Sequence, residues 1–349
     1  MKQKLAALLF AATAILIASC SGSNQKKIAG AGATFPLPFY NMAFQTYQKS
    51  TDISVTYGGI GSGGGIRSLT DKIVDFAGSD AYLSEKEMRE MDAKVLHIPS
   101  CLGAVVLAYN LPGIENLNLD GEIIADIYLG KITSWDDARI IKLNPEKKLP
   151  KMPINPVYRS DGSGTTFVFS DYLTKVSNEW ADKMGVSKSL NWNVGVASKG
   201  NPGVAGTIKS TVGSIGYIGS EYSFALKIPV ANLKNSSGNI VEPTLASISA
   251  SASGEIPEDM RFMITNSNAA DAYPISCFTW LLVYAEQGYD ERTLEQAQIT
   301  VNLIKWMISK EAQDLTSKVH YAPLPKKVEV MAMDALKKIT YNGETINER

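Results

Sequence analysis

The sequence predicts an α/β protein of two lobes, and three observations carry that expectation. Strand-like and helix-like patterns alternate along the chain, which builds parallel or mixed sheets with helices on both faces. Glycine-rich runs sit where strands feed helices, the edge at which open sheets of this kind bind ligands. The 349 residues, even without an N-terminal leader, exceed what one typical core supports.

The chain opens MKQKLAALLFAATAILIASC. Lys2 and Lys4 form a basic n-region, and the apolar run Leu5 to Ile17 is too short to span a bilayer comfortably. Ile17-Ala18-Ser19-Cys20 resembles a bacterial lipobox, so residues 1–19 are expected to be a signal peptide and Cys20 a lipidated N-terminus. Residues 20–27 then read as a polar tether.

Ile28–Ala31 has a short strand pattern, and Pro36–Lys49 a helix with Phe39, Met42, Ala43, Phe44 and Tyr47 at helical spacing. Ile53–Tyr57 reads as a strand, Gly58–Gly65 as a glycine loop, Ile66–Thr70 as a brief helix and Asp75–Ala77 as a strand. Ser84–Met91 is an exposed helix, followed by two apolar strands, Val95–Pro99 and Gly103–Tyr109. Asp120–Leu129 and Thr166–Val176 pattern as helices and Ser214–Ile218 as a strand. Ile299–Leu315 reads as one long helix with Trp306 and Met307 on its apolar side.

Composition excludes several function classes. A net charge of −1 supplies no basic field for nucleic acid, so an anion bound here is held by local geometry. Two histidines, His97 and His320, starve most zinc sites and most His-dependent catalysis. After Cys20 only Cys101 and Cys277 remain, far from any CxxC pattern. No metal and no cofactor is expected.

Four loops carry the chemistry. In Gly30–Pro36, Thr34 caps a helix whose first N–H groups can seat an anion, although capping alone also explains it. Gly58–Gly65 can fold into a nest of N–H groups; its GxGxxG is only a weak dinucleotide fingerprint. Val74–Ala81 ends a strand in Ser79-Asp80, putting a carboxylate at the sheet edge, where turn capping is its ordinary use. Tyr158–Phe167, YRSDGSGTTF, offers the planar cation of Arg159, the hydroxyls of Ser163 and Thr165, and Gly162 and Gly164 at a helix start. It is neither a Walker A loop nor a GxSxG elbow.

Together GAGATFP, GGIGSGGG, DFAGSDA and YRSDGSGTTFVFSDYL, in this order, closely resemble the periplasmic phosphate-binding protein family of Pst-type ABC transporters. KGNPGVAGTIKSTVGSIGYI and DAYPI are also similar to that family, so the resemblance runs from about residue 28 to the C-terminus. It implies a periplasmic-binding-protein fold, type II-like, with two lobes joined by a two-strand hinge. Lobe one would comprise 28–100 and 275–349, lobe two 101–274. The resemblance implies phosphate ligands at Thr34, Phe35, Ser62 and Asp80 from lobe one and at Arg159, Ser163, Gly164 and Thr165 from lobe two, with no departure from the family pattern at these positions. The N–H groups of Phe35, Ser62, Ser163, Gly164 and Thr165 and the hydroxyls of Thr34, Ser62, Ser163 and Thr165 would donate to phosphate oxygens. Asp161 would orient Arg159.

Asp80 is expected to act as the selectivity filter. A carboxylate in an anion site helps only if the ligand carries a proton for it to accept; phosphate keeps one near neutral pH and sulfate does not. The resemblance further implies a non-enzymatic, monomeric, exported protein, membrane-held through Cys20, that delivers phosphate to permease subunits for import. A binder of another tetrahedral oxyanion, or an exported phosphoester hydrolase using Ser163, remains the alternative; the latter lacks a neighbouring His or metal cluster. A disulfide between Cys101 and Cys277, at the two hinge crossings, is also expected as a candidate beside two buried thiols.

Overall fold

A computed structural model describes residues 26–346; the leader, Cys20 and most of the tether lie outside the described residues. One mixed eight-stranded sheet organises the chain. Its strands, numbered in chain order, are β1 (Lys27–Gly32), β2 (Ser54–Gly59), β3 (Phe76–Ser79), β4 (Val95–Tyr109), β5 (Asn155–Arg159), β6 (Val196–Ser198), β7 (Ser214–Gly219) and β8 (Ser276–Tyr284), arranged β2-β1-β3-β8-β4-β7-β5-β6. β1 pairs in parallel with β2 and β3, and β5 in parallel with β6 and β7, so each end of the sheet is a parallel α/β unit.

The middle is antiparallel and joins the two ends. The segment expected to form two strands is a single 15-residue strand, β4, buried along its whole length. It pairs with β8 from Val95 to Ala104 and with β7 from Val105 to Tyr109. Pro99 and Gly103 suggested a break, but a β-bulge absorbs the irregularity: Cys101 faces Thr279 and Pro99 faces Trp280, leaving Ser100 as the extra residue. Ser100 is itself held, its Oγ at 2.9 Å from the Tyr40 hydroxyl and its carbonyl accepting from Gln313 at 2.9 Å.

Nine helices matter here: α1 (Leu37–Thr51), α2 (Ser62–Thr70), α3 (Glu85–Glu90), α4 (Gly121–Tyr128), α5 (Gly164–Val176), α6 (Gly200–Ser210), α7 (Ser220–Leu226), α8 (Leu294–Met307) and α9 (Lys310–Thr316). α1 buries Phe39, Tyr40, Ala43, Phe44 and Tyr47, the predicted stripe except for half-buried Met42. Tyr40, Phe44, Tyr57 and Phe76 form an aromatic cluster beneath it. On the other half Phe169 stacks on Tyr217 at 4.3 Å, with Tyr128 and Trp180 against them.

Two element predictions change. The expected loop Gly58–Gly65 is the end of β2 and the first turn of α2. Its glycines permit close packing: a Cβ on Gly65 would lie 2.4 Å from the Gly32 Cα. The expected long helix is two helices, α8 and α9, because the chain breaks at Ile308-Ser309 and restarts with Ser309 at the N-cap. Met307 is buried as predicted, whereas Trp306 is half-buried against Tyr47. Residues within 257–262 reach back over the β8 side: Trp280 Nε1 donates to the Met260 carbonyl at 2.9 Å, and Arg261 pairs with Glu85.

Cys101 and Cys277 are free, buried thiols, the second of the two arrangements considered for them, which corrects the candidate bridge. Cys277 faces Gly103 and Cys101 faces Thr279, so the two are diagonal rather than opposed. Diagonal cross-strand residues stand about 7–8 Å apart, beyond the roughly 4.4–6.8 Å that a disulfide spans. Burial also raises both thiols well above their ordinary range, suppressing the reactive thiolate. Thiol titration of the denatured, unreduced chain lacking Cys20 should therefore count two thiols; a count of zero would contradict this register.

Candidate functional site

The loops that leave β1, β3 and β5, together with the N-termini of α2, α5 and α6, meet at one buried place between the two halves of the sheet. Thr34, Phe35, Ser62, Asp80, Arg159, Ser163 and Thr165 are each 4% exposed or less, and hydrogen bonds tie most of them into a single network.

Three tyrosines hold the turn after β1. The hydroxyls of Tyr57, Tyr222 and Tyr321 donate to the carbonyls of Ala33, Thr34 and Phe35 respectively. With its carbonyls gripped, the turn leaves the Phe35 N–H without an acceptor among the described residues. The Ser62 and Thr165 N–H groups, in the first turns of α2 and α5, are likewise without one. Buried backbone donors rarely stay unmatched, so three at one site mark it as built for acceptor oxygens.

Arg159 supplies the cation. Its Nε and Nη2 engage Asp161 at 2.8 and 2.5 Å, and Nη1 reaches the Thr165 hydroxyl at 3.3 Å. Burial works to raise the Asp161 carboxyl, but the Arg159 bonds and charge prevail and hold it below its usual range. Asp161 also accepts from the Gly200 N–H at 3.0 Å, fixing the pair against α6. The expected orienting role of Asp161 thus has a matching geometry.

Asp80 lies just beyond β3. Its Oδ1 accepts from Thr279 at 2.8 Å and its Oδ2 from Thr165 at 3.4 Å. Burial pushes its carboxyl up to about 7, against the Thr279 bond and the Arg159 charge. Ser62 Oγ accepts from the N–H groups of Asp80 at 3.3 Å and Gly164 at 3.1 Å, crossing from one half of the sheet to the other.

Ser163 departs from expectation. Its N–H donates to the Lys188 carbonyl at 2.8 Å, and its hydroxyl accepts the Thr166 N–H as the N-cap of α5. That N–H is already committed, which leaves Ser163 only its hydroxyl proton for a ligand. Gly164 donates to Ser62 in the same arrangement.

Two residues that sequence reasoning missed complete the network. Thr279, a hydroxyl in the middle of the apolar strand SCFTWLLVY, is carried to Asp80 next to the bulge. Asn201, fully buried at the start of α6, bonds Thr34 and Thr165 together. It lies in the recognised stretch KGNPGVAGT, where a polar residue between glycines and a helix was the available signal. Among the described residues no cluster of His, Cys, Asp and Glu could hold a metal ion.

The PBP superfamily domain matches residues 18–311. The phosphate-binding protein PstS of Xylella fastidiosa (strain 9a5c) is 39% identical over 312 residues, covering 88% of this chain and 84% of that protein. The chain belongs to the PstS phosphate-binding protein family. Its relative PstS of Methanocaldococcus jannaschii is 36% identical over 359 residues, covering 93% of this chain and 92% of the relative. Among solved structures, a high affinity periplasmic phosphate-binding protein (PfluDING) bound with phosphate superposes at TM-score 0.70 and 22% identity, with 88% of this chain and 93% of that one covered. An ABC-type phosphate transport receptor from Vibrio cholerae gives 0.55 at 18% identity, with 85% and 100% covered. These likenesses establish the two-lobed periplasmic-binding-protein fold expected from the sequence.

Proposed function

We propose that this protein binds inorganic phosphate between its lobes and delivers it to an ABC-transporter permease for import. The observation that carries the reading is the pairing of unmatched buried donors, the N–H groups of Phe35, Ser62 and Thr165, with the buried cation of Arg159 and one acceptor, Asp80. The ligand set is Thr34, Phe35, Ser62, Asp80, Arg159, Ser163 and Thr165, with Asp161 behind Arg159 and Gly164, expected as a ligand, instead spending its N–H on Ser62 Oγ. Lobe one comprises 28–100 and 275–349 and lobe two 101–274, with β4 and β8 as the hinge and residues near Met260 and Arg261 lying back on lobe one.

The protein binds rather than turns over its ligand. Ser163 has no base in its hydrogen bonds, and His97 is spent elsewhere, accepting from the Leu83 N–H at 3.0 Å and pushed down to about 3 by burial. It acts outside the cytoplasm, as a monomer held on a membrane by lipidated Cys20. No helix among the described residues is long and apolar enough to cross a membrane, and translocation belongs to partner subunits.

Calorimetric titration of the chain lacking residues 1–20, stripped of phosphate, tests the reading. One-to-one phosphate binding, unaffected by excess sulfate, is expected; folded protein that binds neither anion would refute it. Closure has its own test. A Cβ on Gly164 would sit 2.4 Å from Ser62 Oγ and 2.8 Å from the Asp80 Cβ. Overpacking of this kind costs about 1–3 kcal/mol, so Gly164→Ala should raise the phosphate Kd about 10–100-fold in the same titration.

A further inference from the structure

We propose that Asn201 is a positioning residue that forces the hydroxyls of Thr34 and Thr165 to offer their protons to the ligand. The inference rests on the phosphate reading of the site. Asn201 is fully buried, and its amide orientation is fixed by chemistry: the Gly219 N–H donates to Oδ1 at 3.0 Å, so that atom must be the oxygen. The Nδ2 group therefore faces the site, sending one N–H to Thr34 Oγ1 at 3.0 Å and the other to Thr165 Oγ1 at 3.1 Å.

A hydroxyl has two lone pairs and one proton. Thr34 Oγ1 receives a second N–H from the Asn201 backbone at 3.0 Å, and Thr165 Oγ1 a second from Arg159 at 3.3 Å. Both oxygens then have their lone pairs filled and can act only as donors: the Thr34 proton has no acceptor among the described residues, and the Thr165 proton is turned to Asp80 Oδ2 at a long 3.4 Å. Ser62 Oγ reaches the same condition through the N–H groups of Asp80 and Gly164. A rotatable group that could either donate or accept thus becomes a fixed donor before any ligand arrives. The entropy of orienting it is spent in folding rather than in binding. Asp80 is then the single acceptor among these groups, which sharpens its selection for a ligand with one proton.

Asn201→Asp keeps the shape and the Gly219 acceptor but turns the donor into an acceptor, drawing both hydroxyl protons away from the ligand. Phosphate Kd relative to wild type should rise about 1000-fold at pH 8, and the ratio should shrink as pH falls and the new carboxyl protonates. Asn201→Leu removes the donor without adding charge; it should cost about tenfold in the wild type and about threefold in a Thr34→Val background. Asn201→Asp binding within threefold of wild type at pH 8 would overturn the proposal. So would an equal Asn201→Leu cost in both backgrounds, the mark of a merely structural role. If Asn201→Leu fails to fold, the pH profile of Asn201→Asp decides. Absence of phosphate binding by the wild type would instead defeat the reading of the site itself.

Discussion

Arg159→Met should lower phosphate affinity about 1000-fold and destabilise the ligand-free protein, and the two effects should separate in a double mutant. Arg159 is the cation at the centre of the network, with a side chain only 1% exposed and its fork turned towards Asp161 and Thr165. Truncating one partner of a buried, hydrogen-bonded charge pair costs about 2–5 kcal/mol, and a thousandfold change in Kd is about 4 kcal/mol. The stability loss has a different origin. Asp161, 13% exposed in its side chain, would keep its charge without its partner, leaving the Gly200 N–H as its remaining bond. Arg159→Met/Asp161→Asn should regain most of the lost thermal stability, because the orphaned carboxylate is gone, yet regain only the part of the affinity that the repulsion of that carboxylate had cost and stay far weaker than wild type. Recovery of wild-type affinity in the double mutant would mean that Arg159 serves the fold rather than the ligand.

The sequence made legible those features that local chemistry dictates. The aromatic stripe of α1 follows from spacing alone, whereas the Thr34 cap expected for that helix is not made: Pro36 stands at its N-cap with no side-chain bond. Glycines and hydroxyls next to strand ends marked four loops, and each contributes to the one buried network. What stayed hidden depends on register. Nothing in SCFTWLLVY tells which of its residues will stand beside Asp80; that follows from the antiparallel register of β8 on β3, where Trp280 faces Ser79 and Thr279 comes next to Asp80. Asn201 was hidden for a similar reason, since its partners are 167 and 36 residues away. The commitment of the Ser163 N–H to Lys188 could not be read locally either. Across the same boundary Lys188 also pairs with Glu87 at 2.7 Å, so the turn that positions Ser163 is itself tied to the other half of the sheet.

Asp80→Asn should relax the discrimination against sulfate while stabilising the ligand-free protein at alkaline pH. Oδ1 of Asp80 holds the Thr279 bond at 2.8 Å, whereas Oδ2 carries only the long 3.4 Å Thr165 contact and keeps a lone pair to face a ligand. Sulfate brings no proton to that oxygen, and the unpaired, like-charged contact costs several kcal/mol when buried. A neutral amide removes the repulsion, so sulfate should compete measurably for the variant, and phosphate, losing a charged acceptor for its P–OH, should bind about tenfold more weakly. The stability effect follows from the carboxyl being raised to about 7 by burial. A raised folded-state value means that the folded protein holds its proton where the unfolded chain, titrating at about 3.9, has released it. That contribution is fully present below about pH 4 and is lost as pH rises through about 7. The amide of the variant does not titrate and suffers no such loss. The melting temperatures of ligand-free wild type and variant should therefore lie closest near pH 4 and diverge towards pH 8, with the variant higher. Glu221, also buried and raised, is common to both proteins and largely cancels in the comparison. Parallel melting curves across this range would place the Asp80 carboxyl at an ordinary value, and sulfate still excluded by the variant would assign the discrimination to the surrounding donors instead.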